Sequence, residues 1–371
     1  MDSSQLPAAP SLLASQLAAW FCAKRRDLPW RTNRSAYRVW LSEVMLQQTR
    51  VAVVCEYFLR FVARFPDVKD LAAASEDEVL SLWSGLGYYA RGRNLHKAAQ
   101  VVATNHDGVF PATSAALAAL PGIGSYTAAA VASLAFGEQI AVLDGNVARV
   151  LARLCDDDTP IDTPAGKIHF AARAQALVDA HSSSATINEG LMELGALICT
   201  PRSPSCGGCP WSASCAGKGR AALLPVKARK KPRQQIRIAC VVLRDPQGRV
   251  WLQKRASTGL FGGLWEPLGM IIQDDVDVES AWSTILRDAC VSAPPFAAPI
   301  IVTRVLTHRE LRFEIVTVQM SSAAATKTPA TPTATADTRH WFCDRDLKKV
   351  GTSSAVRAVL AATQTLPLFQ P

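Results

Sequence analysis

LAALPGIGSYTAAAVASLAFGEQIAVLDGNVAR, residues 117–149, is the stretch that decides the fold. Two helical patterns meet at Leu120-Pro121-Gly122-Ile123-Gly124, which is too rich in glycine for helix and too short for a free loop. Gly122 and Gly124 tolerate positive φ and let another backbone come close. The helix that follows, TAAAVASLAF, turns unpaired N–H groups and the positive end of its dipole toward that loop, which favours an anion such as phosphate. Further on, the apolar run from Ile140 to Leu143 ends at Asp144-Gly145-Asn146, where a new helix starts. Taken singly, the loop reads as a plain helix–helix turn, and Asp144 or Asn146 as an N-cap. Together, a phosphate-gripping hairpin and a lone carboxylate close in sequence point to chemistry on DNA.

The totals agree. A chain of 371 residues holds two domains with cores of their own, and its net charge of +9 suits a polyanionic partner. No apolar run reaches transmembrane length, and MDSSQLPAAP lacks the basic and apolar regions of a signal peptide. The expectation is a cytoplasmic protein associated with nucleoid DNA, not with a membrane. Of the ten Cys, four fall within 199–215. That distribution argues against a disulfide framework and for a reduced compartment with one metal or cluster site.

Residues 1–10 read as a disordered lead. From Ser11, Leu12, Leu13, Leu17, Trp20 and Phe21 share one helical face. Arg25-Arg26-Asp27-Leu28-Pro29-Trp30-Arg31 breaks that helix. YRVWLSEVMLQQTRV then reads as a largely buried helix, and Glu43 is the only acid between Asp27 and Glu56. A carboxyl among apolar neighbours has a raised pKa and can hold a proton near neutrality, as a general acid must. The alternative is a Glu facing solvent or paired with Arg38 or Arg50. Two helices are expected over 56–84, separated near Phe65-Pro66, then a glycine-punctuated, aromatic loop from Ser84 to Arg91. NVARVLARL is amphipathic, Cys155-Asp156-Asp157-Asp158 reads as a solvated turn, and helical patterns follow over Pro164–Asp179 and Ile187–Cys199.

Cys199-x6-Cys206-x2-Cys209-x5-Cys215 is compact enough for four thiols to share one metal site, and the spacing alone leaves Zn(Cys)4 and [4Fe–4S] both open. The expected architecture is multi-domain. Residues 11–225 form an all-α domain with the cysteine loop at 199–215, and 226–235 form a basic linker. Residues 236–371 form an α+β domain with strands over 236–243, 249–254, 300–306 and 311–319, a helix near 279–288, and a low-complexity loop over 321–338.

L-P-G-I-G-x-Y-T-A followed by V-L-D-G-N-V-x-R resembles the helix-hairpin-helix DNA glycosylases, the superfamily of endonuclease III and the MutY-type adenine glycosylases. The resemblance implies that the hairpin, with Pro121, Gly122 and Gly124, grips the DNA backbone and that Asp144 assists departure of a base. Endonuclease III-type lyases carry a Lys two residues after the second hairpin glycine. Here that position is Tyr126, and a phenol cannot form an imine. The likeness is therefore to the monofunctional branch. S-E-V-M-L-Q-Q-T is close to a signature of that branch, which makes Glu43 the catalytic acid, places Leu46 at the DNA and wedges Gln48 where the base has left. L-P-W-R puts Trp30 and Arg31 beside the extruded adenine, Tyr126 and Asn146 orient the reacting groups, Tyr88 intercalates beside the 8-oxoguanine, and Arg91 is a DNA-binding residue. The cysteine spacing is that of the family's cluster loop, implying one [4Fe–4S] cluster on Cys199, Cys206, Cys209 and Cys215, stapling a loop that presents Arg202, Lys218 and Arg220 to phosphates.

The second half resembles a MutT-like (Nudix) domain without the metal-binding REUxEE core, since the corresponding helix reads AWSTILRDAC. A pyrophosphohydrolase is not expected without those carboxylates. Where the family reads 8-oxoguanine with Phe-Ser-His, this chain has Leu306-Thr307-His308. The resemblance implies a monomeric adenine glycosylase of base excision repair, acting on double-stranded DNA with A opposite 8-oxoguanine or G. Its rivals are a bifunctional endonuclease III-like glycosylase/lyase, against which Tyr126 stands, and a non-catalytic damage-binding protein, against which the co-occurrence of Glu43 and Asp144 stands.

Overall fold

The computed structural model describes residues 6–228, 232–256, 259–292, 294–306, 308–321, 339–347 and 350–364. Residues 1–5 of the N-terminal lead, 229–231 of the linker and 322–338 of the low-complexity stretch lie outside the described residues. The chain divides into two compact units: residues 1–73 with 94–230, and residues 74–93 with 231–371.

The first unit is all helix and turn. Pro10 opens α1 (Pro10–Lys24), where its missing N–H costs nothing. The buried stripe of α1 is Leu13, Ala14, Leu17, Ala18 and Phe21, so Leu12 falls off the apolar face and is half exposed. Ser35 caps α2 (Ala36–Leu46) by accepting from Arg38 N, and nearly every residue of the helix is buried. That is why its sequence carries so little amphipathic alternation. The region expected to hold two helices holds three: α3 (Val51–Arg64), α4 (Val68–Ala73) and α5 (Glu76–Trp83), the last of which belongs to the second unit. The extra break comes at Ser75, whose hydroxyl caps α5 by accepting from Glu78 N. There follow α6 (Ala90–Asn105), α7 (Ser114–Leu117), α8 (Ser125–Phe136), α9 (Gly145–Leu154), α10 (Pro164–Asp179) and α11 (Ser184–Leu197).

The core of this unit gathers Leu13 and Leu17 of α1, Val147 and Leu151 of α9, Phe170 and Leu177 of α10, Ile187, Leu191 and Leu194 of α11, and Trp211 of the cysteine loop. Burying each such side chain contributes about 1.5–3 kcal/mol. Leu6 and Ala8 also pack there. The indole of Trp211 donates to Leu13 O at 2.9 Å, which ties the loop to α1. The Asp156–Asp158 turn is not merely solvated. Asp157 accepts from His169 at 2.8 Å and pairs with the buried Arg173 at 2.6 Å, while Asp156 and Asp158 pair with Arg220 at 2.9 and 3.0 Å.

The second unit is built on a seven-stranded mixed sheet in the order β3-β2-β1-β6-β5, with β4 also on β1 and β7 on β2. Its strands are β1 (Gln234–Arg244), β2 (Val250–Lys254), β3 (Trp265–Glu266), β4 (Leu268–Ile272), β5 (Ile300–Val305), β6 (Arg309–Gln319) and β7 (Arg339–Phe342). β1 and β6 run parallel, Gln234 facing Arg309 through Arg244 facing Gln319. Side chains alternate across β1. Ala239, Val241 and Leu243 pack under α12 (Val278–Asp288) with Trp282 and Leu286, whereas Ile236, Cys240 and Val242 pack under the last helix, Ser354–Ala362, with Val356 and Val359. Both faces being covered, the strand reads as a continuous apolar run. β3, β4, β7 and the last helix have no counterpart in the sequence reading. Residues 74–93 pack in this unit: Tyr89 Oη donates to Thr352 O, Lys254 pairs with Asp77 at 2.8 Å, and Arg357 donates to Ser84 Oγ at 3.0 Å.

Candidate active site

A cleft of about 850 Å³ opens in the first unit, and the residues singled out around Glu43 and Asp144 line it. Glu43 sits in the wall on α2 with 6 % of its surface exposed. It neither faces solvent nor pairs with Arg38 or Arg50: Tyr126 Oη donates to Glu43 Oε2 at 2.8 Å and touches Met192 Sδ at 3.7 Å. Burial raises the Glu43 pKa, the Tyr126 hydrogen bond opposes it, Asp144 and Glu189 raise it further and Arg31 opposes, leaving it at about 7. Glu43 can therefore hold a proton near neutral pH. Burial, with Glu43 and Asp144 adding to it, pushes the Tyr126 phenol well above its ordinary value, so its proton stays available to donate.

The hairpin Leu120–Gly124 delivers Tyr126. Gly122 has φ +71°, and a Cβ there would lie 2.4 Å from Asn94 Cβ, so only glycine fits. Gly124 is the N-cap of α8, with no side-chain cap and no acid in the first turn, and a Cβ there would meet nothing within 4 Å. The helix start is thus open to an anion. Pro121 sits half-buried in the same turn.

Asp144 is both N-cap and cleft residue. Its Oδ1 accepts from Val147 N at 2.7 Å, and its Oδ2 accepts from Asn146 Nδ2 at 2.9 Å. Asn146 Oδ1 in turn accepts from Arg149 Nη2 at 2.9 Å, and Arg149 Nε donates to Cys199 O at 2.9 Å. The Asp144 carboxylate is thereby fixed at the head of α9 by a relay that ends on the cysteine loop.

Trp30, Arg31, Leu46 and Gln48 also line the cleft. Trp30 is buried edge-on to Phe58 with ring centroids 5.6 Å apart. Gln48 is exposed with φ +58°, a backbone state that costs a non-glycine residue about 1–3 kcal/mol and clusters at functional sites. Tyr88, Arg91 and His308 belong to the second unit. Tyr88 is half exposed with φ +48°, and the Arg91 guanidinium lies 5.6 Å from its ring centre. His308 is exposed between β5 and β6, and Thr307 lies outside the described residues.

Sequence reasoning missed one wall of the cleft. Glu189 and Glu193, one turn apart on α11, are buried and hold Arg26, Arg31 and Arg34. The only sequence trace is a pair of acids at i and i+4 in the otherwise apolar INEGLMELGALIC.

Cys199, Cys206, Cys209 and Cys215 line one further cavity with Ile198, Pro204, Ala221, Arg153 and Lys218. Among the described residues no three His, Cys, Asp or Glu side chains are gathered to hold a metal ion. A tetrahedral zinc would need its sulfurs about 4 Å apart. Four thiols lining one cavity are the ligand set that a [4Fe–4S] cluster requires. Arg153 supplies positive charge there, its Nη1 donating to Cys199 Sγ at 3.4 Å and to Thr200 O at 2.7 Å. The loop approaches α9 so closely that a Cβ on Gly217 would lie 2.3 Å from Arg153 O. Of the basic residues expected to face phosphates, Arg220 is spent on Asp156 and Asp158, and Lys218 donates to Ser212 Oγ at 3.0 Å.

Known proteins share this layout. The profile of HhH-GPD superfamily base excision DNA repair proteins matches residues 41–165, that of the iron–sulfur binding domain of endonuclease III matches 199–215, and that of the NUDIX domain matches 239–362. The adenine DNA glycosylase of Mus musculus is 33 % identical over 85 % of this chain and 72 % of its own length. The chain belongs to the adenine DNA glycosylase family. The member from Mycolicibacterium smegmatis is 42 % identical over 54 % of this chain and 68 % of its own. Among solved structures, a thermostable thymine-DNA glycosylase matches with a TM-score of 0.51 and 28 % identity, covering 57 % of this chain and 97 % of its own. As in the endonuclease III domain that 199–215 match, the cysteine loop of this glycosylase binds a [4Fe–4S] cluster. Among the described residues no helix is long and apolar enough to cross a membrane.

Proposed function

We propose that this adenine DNA glycosylase is monofunctional, flipping adenine mispaired with 8-oxoguanine or guanine out of double-stranded DNA and hydrolysing its glycosidic bond to leave an abasic site. The observation that carries the reading is the pairing in one cleft of a proton-bearing Glu43, held by Tyr126 at 2.8 Å, with an Asp144 carboxylate fixed at a helix start. A base inside the duplex is out of reach, so the nucleotide must leave the stack and enter the cleft. The open start of α8 and its hairpin grip the backbone as it does so.

Glu43 gives its proton to adenine N7. The C1′–N9 bond breaks, its electron pair goes to the purine, and the positive charge appears on the sugar. The Asp144 carboxylate, oriented by Asn146, stabilises that oxocarbenium-like centre. Water adds at C1′ and gives up its proton, the Glu43 carboxylate being the acceptor at hand. Two carboxyl groups thus divide the labour as in glycoside hydrolysis. The bound [4Fe–4S] cluster supplies a rigid staple for the loop against which Arg149 and Arg153 brace α9. The second unit, with Tyr88 and Leu306-Thr307-His308, reads the 8-oxoguanine. Its α12 has only Glu279 and Asp288 as acids, which does not support pyrophosphate hydrolysis. The protein acts as a monomer.

Tyr126 stands where a lyase would need an amine, so the enzyme forms no imine with the sugar. Borohydride added during turnover on an A:8-oxoguanine duplex is expected to trap no protein–DNA adduct. A trapped adduct would mean that another amine attacks C1′ and the enzyme is a lyase.

A further inference from the structure

We propose that Glu193 is a positioning residue for base removal: by pinning Arg26 and Arg31 in the cleft wall it keeps the Arg31 charge balanced, so that Glu43 stays protonated at the pH where the enzyme works. The proposal rests on Glu43 being the general acid. Of the groups placed around the reacting adenine Glu193 touches Arg31, and it is among the most buried acids of the described residues, with 2 % of its surface exposed. Its Oε1 accepts from Arg26 N at 2.8 Å and Nε at 2.9 Å, and its Oε2 accepts from Arg26 Nη2 at 2.8 Å. Arg31 reaches the same carboxylate, Nη2 to Oε2 at 3.3 Å and Nη1 to Oε1 at 3.4 Å. Two further N–H groups of Arg31 go to Glu189 Oε1 at 2.9 Å and Arg26 O at 2.9 Å, and its guanidinium lies 5.3 Å from the Phe21 ring centre. Arg34 completes the wall by donating to Glu189 Oε2 at 2.6 Å.

The charges balance only in one protonation state. Arg26, Arg31 and Arg34 are matched by Glu189, Glu193 and Asp144, so the cleft is neutral when Glu43 carries its proton. The groups acting on Glu43 from the packed elements are Tyr126 on α8, Asp144 at the cap of α9, Glu189 on α11 and Arg31 on the loop before α2. Arg31 alone among the charged ones favours ionisation of Glu43. Burial works against ionisation of Glu193 itself, but hydrogen bonds from Arg26 and Arg31 outweigh it and hold the carboxyl at about 2, so the wall keeps its negative charge throughout the working range. Neutralising Glu193 leaves Arg31 under-compensated beside Glu43, and an unmatched positive charge lowers a carboxyl pKa.

The test is the single-turnover rate of adenine release against pH for the full-length, cluster-loaded enzyme. In Glu193→Gln the alkaline limb is expected to move down by about one pH unit relative to wild type. Glu193→Asp, which keeps the charge, restores the limb even if its rate is lower. Glu193→Gln combined with Arg26→Gln, which removes the surplus positive charge, also returns it toward its original position. A purely structural Glu193 would lower the rate equally at every pH and leave the limb in place, which would overturn the proposal, as would a double variant that stays shifted. A wild-type profile without an alkaline limb would instead defeat Glu43 as the acid, and this proposal with it.

Discussion

Asp144→Asn is expected to slow single-turnover adenine release by at least about 10³-fold while leaving affinity for the mispaired duplex unchanged. The two halves of that result come from different atoms. Asn caps a helix as well as Asp, so the bond from Val147 N to Oδ1 survives and α9 keeps its start. On the other side, an amide in place of Oδ2 faces the Asn146 amide that now donates to it, which forfeits one hydrogen bond worth about 1 kcal/mol. That loss does not unfold a domain. On the proposed mechanism what disappears is the negative charge at the sugar, whose effect is confined to the transition state. Measured rates under saturating enzyme, beside a binding isotherm for the same duplex, separate the two. Retained excision would defeat the mechanism.

Glu43→Gln is the second large effect. The glutamine carbonyl can still accept from Tyr126 Oη, and the side chain fits the same buried slot, so folding is spared. It has no acidic proton to give, and loss of a general acid costs about 10²–10⁴ in rate. The pH dependence carries the sign. On the proposed mechanism the active form of Glu43 is the protonated one, and burial raises its pKa to about 7, so wild-type activity is expected to be full in mild acid and to fall as pH rises through that value. In Glu43→Gln the residual rate is expected to lose this limb altogether. A variant that kept both its rate and the limb would show that another group protonates adenine.

The parts of the site carried by short contiguous motifs were legible in the sequence. Glu43, Tyr126 and Asp144 each sit in a local pattern that fixes both residue type and backbone. The four cysteines declared themselves by spacing, and the structure adds the cavity and the arginines around them. The acidic wall was not legible. Two acids one turn apart read as a solvated helix face, and the arginines that bury Glu193 lie more than 160 residues away in the chain. Asp157 escaped in the same way, because nothing in a run of three aspartates shows which one meets Arg173. In the second unit, β1 carries the apolar run Ile238–Leu243 and β6 alternates apolar and polar residues over a long strand, so both were visible, whereas β3 and β4 are short and separated by Pro267. The membership of residues 74–93 in that unit depends on tertiary contacts such as Tyr89 to Thr352, which no local pattern encodes.

One measurement tests the central claim most directly. A duplex carrying a single A opposite 8-oxoguanine is incubated with the purified enzyme, and half of each sample is then treated with hot alkali. The account predicts strand scission only in the alkali-treated half, because the base is removed while the backbone stays intact. Scission without alkali, or no scission in either half from protein that retains its brown cluster colour, would contradict it.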